Sequence, residues 1–293
     1  MYRAKWQGGV QTPVAARREH PVTTLPEGPL LGAYRLDAPL GRGGQGSVWA
    51  ARHADTGLQV AVKIITAERA RSAEALRNFR REVRAVARLD HPNVVMVLDQ
   101  GEIPDTMGDL ADRVVPGSPY LVMERAACSL GDLAMPLAWP ETRATLRGIL
   151  DGLAHAHARG VLHRDVKPGN ILFPRRPRSV DDYAAACLAD FGLAVDRSQG
   201  VGAGRMAMAG SPTFMAPEQF TGDGAEIGLE TDLYAVGWVG WAIATDSHPL
   251  ADFTLTGIRS LKLAGRLPTW PTKAVAPPAF RGWVERLLSS DPL

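Results

Sequence analysis

Eight consecutive residues, His163-Arg164-Asp165-Val166-Lys167-Pro168-Gly169-Asn170, place an acid, two bases and an amide in one short loop, and Asp190-Phe191-Gly192 follows twenty residues later. One carboxylate is available to orient a hydroxyl and one Lys to meet developing negative charge. An Asn and an Asp are available to hold divalent cations. Phosphoryl transfer calls for these parts, because its catalysis is almost entirely positioning and electrostatic stabilisation. A loop carboxylate that only caps a turn is the plain alternative for Asp165, and it is the weaker reading in this company.

Such a loop has to be presented by regular elements. Pro140 suits the first turn of a helix, and Leu146, Ile149, Leu150, Leu153 and His157 fall on one face of it, so the spacing predicts a helix leading into the loop. A short strand is expected at 186–189, a strongly apolar buried helix from Thr231 onward, and a short amphipathic helix over 280–288. Upstream, the pattern is strand-rich: 34–40 and 46–52 flank a glycine loop, 59–65 follows a turn at Asp55-Thr56-Gly57, and 94–100 and 120–124 are further strands. Between them Ser72 caps an expected helix whose apolar residues Leu76, Phe79, Val83 and Val86 recur at three and four residues. Residues 1–32 mix Pro, Gly, Arg and Thr without periodicity and read as a flexible tail. The domain is expected to open near Tyr34, with a strand-rich half over 33–125 and a helix-rich half over 126–293. The connection 102–118 and the basic stretch around Arg175, Arg176 and Arg178 carry no evident role.

Bulk properties narrow the class. A hydrophobic share of 45% and a charged share of 22% are those of a soluble globular chain. With 33 Lys+Arg against 31 Asp+Glu, the net charge of +2 gives no field favouring nucleic acid or membrane. Two cysteines, Cys128 and Cys187, cannot build a disulfide framework, and reduced thiols of a cytoplasmic protein are expected. Arg3, Lys5, Arg17 and Arg18 interrupt any signal-peptide core, and the longest apolar run, 233–244, is too short to span a bilayer.

Gly41-Arg42-Gly43-Gly44-Gln45-Gly46-Ser47-Val48 matches G-x-G-x-x-G-x-V, a weak signal alone. A dinucleotide site needs a helix after the glycines, whereas Val48-Trp49-Ala50-Ala51 reads as a strand. Strand, glycine loop and strand make a flap whose backbone can lie close over phosphates. Val60-Ala61-Val62-Lys63 puts a Lys among apolar neighbours, where its ammonium would want a partner. Glu82, on the helical face above, is the natural one, and a Lys so held can grip nucleotide phosphates.

With these residues in view, the chain resembles the catalytic domain of protein kinases of the serine/threonine type, and is most similar to the eukaryotic-like kinases of bacteria. The resemblance runs from about Tyr34 to the C-terminus. It is carried by the glycine loop, Val60–Lys63, Glu82 ahead of Leu89-Asp90-His91-Pro92-Asn93, the His163–Asn170 loop, Asp190–Gly192 and Ala216-Pro217-Glu218, in the order and spacing of that family. It implies an α+β, two-lobed kinase fold: an N-terminal antiparallel β-sheet lobe with one main helix, then a mostly α-helical lobe. It implies ATP and Mg²⁺ as cofactors and protein Ser/Thr hydroxyls as acceptors. Asp165 would orient the acceptor hydroxyl, Lys167 would neutralise the transferring phosphoryl group, and Lys63 with Glu82 would hold the nucleotide phosphates. Asn170 and Asp190 would ligate Mg²⁺. Gly41, Gly43 and Gly46 would cover the phosphates. The adenine would lie between Leu40, Val48 and Ala61 above and Leu172 below, with Met123 behind it and backbone groups of Glu124 and Ala126 hydrogen-bonding the base. His163 would be a packed histidine under Phe191, and Asp232 would hold the catalytic loop backbone. His155 and His157, two apart on a helix, diverge and read as ordinary helix residues.

Two departures stand out. Residues 199–210 contain no Ser, Thr or Tyr, and Ser211 stands where the family has a Thr contacting the catalytic Asp and Lys. Switching by phosphorylation at the usual loop position is therefore not expected, and Arg164 would meet a carboxylate, a carbonyl or solvent instead. The family also pairs the Glu of Ala216-Pro217-Glu218 with an Arg beyond Asp291-Pro292, so Glu218 is expected either to lack its partner or to find it in a longer chain. Two other functions share many of these residues: a pseudokinase acting as a nucleotide-binding scaffold without turnover, and a small-molecule kinase. The second should not need Ala216-Pro217-Glu218, which shapes the peptide-docking surface in protein kinases.

Overall fold

Alternation of side chains along two central strands sets the small half of the molecule. In this computed structural model, residues 28–43, 46–65, 83–104, 116–191, 211–221, 227–245, 250–271 and 275–289 are described. Strands β1 (Leu30–Leu31), β2 (Tyr34–Gly43), β3 (Gly46–His53), β4 (Gln59–Ile65), β5 (Val97–Glu102) and β6 (Pro119–Glu124) form one sheet in the order β1-β2-β3-β4-β6-β5. Each neighbouring pair is antiparallel. On β4, Val60, Val62 and Ile64 enter one apolar cluster, together with Tyr120 and Val122 of β6. Ala61 and Ile65 enter another, with Leu121 and Met123. The strand period of two therefore assigns Lys63 to the face of Ala61, which is the face turned to the rest of the chain.

The sheet begins earlier than the expected opening at Tyr34. Leu31 pairs with Tyr34 and is fully buried, because a strand there closes the sheet edge. The expected strand at 94–100 is shifted to Val97–Glu102, since Val94 leaves the sheet to bridge Leu188 in parallel. Residues 83–86 are helical, in agreement with the spacing read for that segment. Glu82 and the expected start of that helix lie outside the described residues, as do the proposed tail up to residue 27 and most of the 102–118 connection.

The large half is mainly helical: α1 (Trp139–His157), α2 (Val180–Ala184), α3 (Glu218–Thr221), α4 (Leu229–Thr245), α5 (Leu255–Leu263) and α6 (Pro278–Leu287). Pro140 stands in the first turn of α1, and Glu141 folds back to accept the Ala138 N–H at 3.0 Å. Helix α4 is buried nearly all round, as its apolar composition requires, and so runs through the middle of the core. Trp238 and Trp241 of α4 lie fully buried, and Trp241 meets Trp270 at 4.5 Å between ring centroids.

A small sheet carries the site. Strands β7 (Cys128–Ser129), β8 (Ile171–Phe173) and β9 (Cys187–Leu188) pair in that order. Strand β8 was not expected, being three residues long. The basic stretch before β9 forms a clip, in which Asp182 accepts from Arg175 Nε at 2.5 Å and from the Arg178 and Ser179 N–H groups at 3.0 Å. Asn93 ties this region to the sheet: its side-chain amide donates to Ala184 O at 2.8 Å and Ala186 O at 2.9 Å.

Two consequences are measurable. A Cβ on Gly152 of α1 would sit 2.7 Å from the Asn93 carbonyl oxygen. Gly-to-Ala inside a free helix stabilises by about 1 kcal/mol, but a backbone clash of this kind costs about 1–3 kcal/mol. Gly152→Ala should therefore lower Tm in thermal unfolding, and a raised Tm would contradict the close approach. Asp182 is held down to about 2 by the Arg178 N–H first, then Arg175 and Ser179. Its contribution is present above the ordinary carboxylate value of about 3.9 and lost as pH falls towards about 2. Asp182→Asn should flatten the acid limb of a stability–pH curve over that window, and an unchanged limb would contradict the clip.

Candidate active site

A buried carboxylate organises the loop. Asp232, 1% exposed in the first turn of α4, accepts the N–H of His163 at 2.8 Å and of Arg164 at 2.6 Å. His157 Nε2 lies 2.7 Å from the same carboxylate, so the reading of His157 as an ordinary helix residue is corrected. Helical spacing told which side His157 faces, but not that an acid from α4 faces it. Arg164 has φ 63°, the left-handed region that a bulky residue enters only under constraint. Both its peptide groups are tied: the N–H by Asp232, and the C=O by the Gln219 side-chain amide at 2.9 Å.

His163 is fully buried and its ring lies 4.5 Å from Phe191, as expected of a packed histidine. Its Nδ1 accepts the Asp165 N–H at 3.3 Å, which fixes the neutral tautomer. Burial lowers its pKa, against the pull of Asp232, Asp165 and Asp190.

The loop side chains converge on one carboxylate oxygen. Asp165 Oδ2 accepts from Lys167 Nζ at 2.7 Å and from Asn170 Nδ2 at 2.9 Å, leaving Oδ1 for a further donor. The Asn170 amide nitrogen also donates to the Asp165 carbonyl at 2.8 Å, so its Oδ1 is the atom left for a ligand. Asn170 runs directly into β8 and Asp190 follows soon after β9. Pairing of Ile171 with Leu188, and the Ala189 N–H bonded to Asn170 O at 2.9 Å, therefore set the two polar residues side by side.

Asp190 faces the small half. Its carboxylate meets Lys63 Nζ at 2.8 Å, and the Lys63 side chain is only 4% exposed. Burial pushes the Asp190 carboxyl up, but Lys63, with a smaller pull from Lys167, outweighs it and the net pKa is lowered. A carboxylate and an amide oxygen, both hard donors, suit Mg²⁺, which takes one or two protein oxygens and completes its shell with water and phosphate. The donor set fits that ion.

The wall of the cleft is apolar. Ala61 and Met123 are buried in the cluster against which Val48 and Leu172 pack, whereas Leu40 is 52% exposed at the cleft mouth. In the glycine hairpin, Gly41 pairs with Val48 and Gly43 with Gly46. Gly46 has φ 151°, and a Cβ there would lie 2.0 Å from Ile64 O, so packing requires that glycine. A Cβ on Gly41 would meet nothing within 4 Å, so its open backbone is not explained by packing within the protein. The Glu124 N–H is spent on Met96 O at 3.1 Å. A cavity of about 360 Å³ is lined by Leu58, Val95, Leu98, Glu124, Ala126 and Leu172, and neither Val48, Ala61 and Met123 nor Lys63 and Asp190 line it.

Other expectations change. No hydrogen bond joins Ser211 to Asp165 or Lys167 among the described residues; the Ser211 carbonyl instead accepts the Phe214 N–H at 2.9 Å. Glu218 accepts from the Thr231 hydroxyl at 2.5 Å, so it has a partner on α4 that no family pattern suggested. Gln219, Thr231 and Lys262 were missed by sequence reasoning, because each acts across elements rather than within a motif. Glu82, Gly192 and residues 192–210 lie outside the described residues.

Asp232→Asn replaces one acceptor oxygen with an N–H₂ facing a buried donor, at a cost of about 1–3 kcal/mol. Thermal unfolding should show a Tm lower by about 2–4 °C per kcal/mol. A Tm equal to wild type would contradict the role of Asp232 as the loop anchor.

Comparison with known proteins agrees with this geometry. Residues 34–292 match the protein kinase domain family. The chain is 32% identical over 264 residues to the serine/threonine-protein kinase Pkn1 of Myxococcus xanthus, covering 88% of this chain and 35% of that protein. It is 32% identical over 261 residues to the probable serine/threonine-protein kinase PknB of Bifidobacterium longum, covering 86% and 36%. To the serine/threonine-protein kinase PknH of Mycobacterium bovis it is 34% identical over 267 residues, covering 90% and 42%. The chain thus spans between a third and a half of the length of these relatives. With its antiparallel small lobe and helical large lobe closing on this loop, the chain belongs to the protein kinase domain family.

Proposed function

We propose that this chain transfers the γ-phosphate of ATP to Ser or Thr hydroxyls of protein substrates. The observation that carries the reading is the meeting of Lys63 and Asp190 at 2.8 Å across the two lobes, beside the Asp165–Lys167–Asn170 cluster. Asp165 Oδ1 receives the acceptor hydroxyl while Lys167 and Asn170 hold Oδ2, so the carboxylate cannot rotate away. The hydroxyl oxygen attacks the γ-phosphorus, the bond from that phosphorus to the β–γ bridging oxygen breaks, and ADP leaves with the electron pair. The hydroxyl proton passes to Asp165. Lys167, next to the acceptor oxygen, offsets charge on the transferring group, and Lys63 places a buried cation where the phosphates reach.

Asn170 Oδ1 and the Asp190 carboxylate would hold Mg²⁺, which when bound neutralises charge on the β- and γ-phosphate oxygens. Gly41, Gly43 and Gly46 lie along the hairpin over this point, and the apolar wall of Val48, Ala61, Met123 and Leu172 takes the adenine. Leu40 shields it from outside, while the Glu124 carbonyl and the Ala126 N–H bond its edge. Glu82, outside the described residues, is proposed from the sequence as the further partner of Lys63.

The protein acceptor is read from the Ser211–Glu218 segment, which is packed into the large lobe rather than left as a free loop. The relatives bearing serine/threonine-protein kinase names agree with it. The lobes are taken as 28–125 and 126–293, because strand Leu30–Leu31 already belongs to the sheet of the small lobe. No helix among the described residues is long and apolar enough to cross a membrane, and we place this part of the protein in the cytoplasm.

The test is transfer of labelled phosphate from magnesium–ATP to a generic protein acceptor. Asp165→Asn should cut turnover by about 10²–10⁴-fold with nucleotide affinity retained. Nucleotide binding without transfer by wild type would favour the scaffold reading, and transfer only to metabolites would favour a small-molecule kinase. Undiminished turnover in Asp165→Asn would overturn the mechanism.

A further inference from the structure

We propose that Lys262 is a positioning residue for the acceptor: from helix α5 it clamps the segment on which a protein substrate docks, and registers that segment to the same helix that holds the catalytic loop. This rests on the protein-kinase reading above.

Helix α5 starts from Thr254, whose hydroxyl accepts the Gly257 N–H at 3.2 Å, and it buries just two residues, Ile258 and Lys262, four apart on one face. A lysine on the inward face of an amphipathic helix is costly unless its ammonium is satisfied. Lys262 is 1% exposed. Its Nζ donates to the carbonyl of Thr213 at 2.8 Å and also to the carbonyl of Met215. Two carbonyls, two residues apart, thus converge on one nitrogen, just after the turn closed by the Phe214 N–H on Ser211 O.

The other side of the ammonium is equally defined. It lies 5.1 Å from the ring centroids of both Tyr234 and Trp238, whose faces attract a cation. Both rings belong to α4, two and six residues beyond Asp232, which holds the His163 and Arg164 peptide groups. The titratable group whose charge acts on Lys262 is Glu218 from α3. Burial pushes the Lys262 pKa down, while Glu218, acting in the opposite sense, and the two ring faces favour its ammonium form.

A methionine of the same length would avoid that desolvation, so the bonds to Thr213 and Met215 are what the lysine adds. The same segment is tied to the catalytic loop once more by Gln219, which accepts the Ala216 N–H at 2.9 Å and donates to Arg164 O. Ser211 to Met215 remain half-exposed, so the clamp holds the segment from beneath and leaves its outer side open to a substrate.

The experiment measures steady-state phosphorylation of myelin basic protein by the full chain as wild type, Lys262→Met and Lys262→Gln, varying protein and nucleotide separately. Loss of the clamp should raise KM for the protein acceptor by about tenfold or more while KM for ATP stays within about twofold. Lys262→Gln, which keeps two N–H donors, should fall between. Wild type that transfers no phosphate would overturn the underlying kinase reading. Wild type that transfers, with acceptor KM unchanged in a folded variant, would overturn the clamp alone. Failure of both variants to fold would make Lys262 a core residue only, and would also overturn it.

Discussion

The carboxylate of Asp232 is the constraint on which the site depends. It lies in the first turn of a helix that is otherwise apolar on nearly every face, and it is satisfied by groups from two other elements: His157 at the end of α1 and the His163 and Arg164 peptides. A buried charge left without these donors would be strongly destabilising, so the three elements must meet before any is stable. The strained backbone at Arg164 follows from this meeting. Its φ of 63° is held because both its peptide groups are bonded, and it turns Asp165 towards Lys167 and Asn170.

The second constraint is strand pairing. Strands β8 and β9 are three and two residues long, too short to be stable alone, yet their pairing brings Asn170 and Asp190 together. In the small lobe, the period of two on β4 places Lys63 on the cleft face between Ala61 and Ile65. Neither lobe owns the site. Lys63 and Asp190 meet only if the sheet and the helical half are set against each other, and the Lys63–Asp190 ion pair with its buried ammonium is the contact that records this.

Much of this could be read from the residues. Asp232 was visible as a charge inside an apolar run, and His163 as a ring beside Phe191 only through the resemblance to protein kinases. The strands around the glycine loop and helices α1, α4 and α6 followed from periodicity, with ends displaced by a few residues. What escaped has a common cause. His157, Thr231, Gln219 and Lys262 each act on a partner brought near only by packing, and no spacing along the chain encodes that partner. Lys262 illustrates it: nothing in Leu261-Lys262-Leu263 singles it out, while the structure buries it against Tyr234 and Trp238. Glu218 accepts from the Thr231 hydroxyl, a partner that no spacing pointed to.

The central claim is that Lys63, Asp165, Asn170 and Asp190 surround one point where the terminal phosphate of a magnesium nucleotide sits. The most direct measurement is the calorimetric affinity of the full chain for ATP, with magnesium and with the ion chelated. The account predicts saturable binding that tightens when magnesium is present and loses that dependence in Asp190→Asn. ATP binding indifferent to magnesium, or none at all, would contradict it.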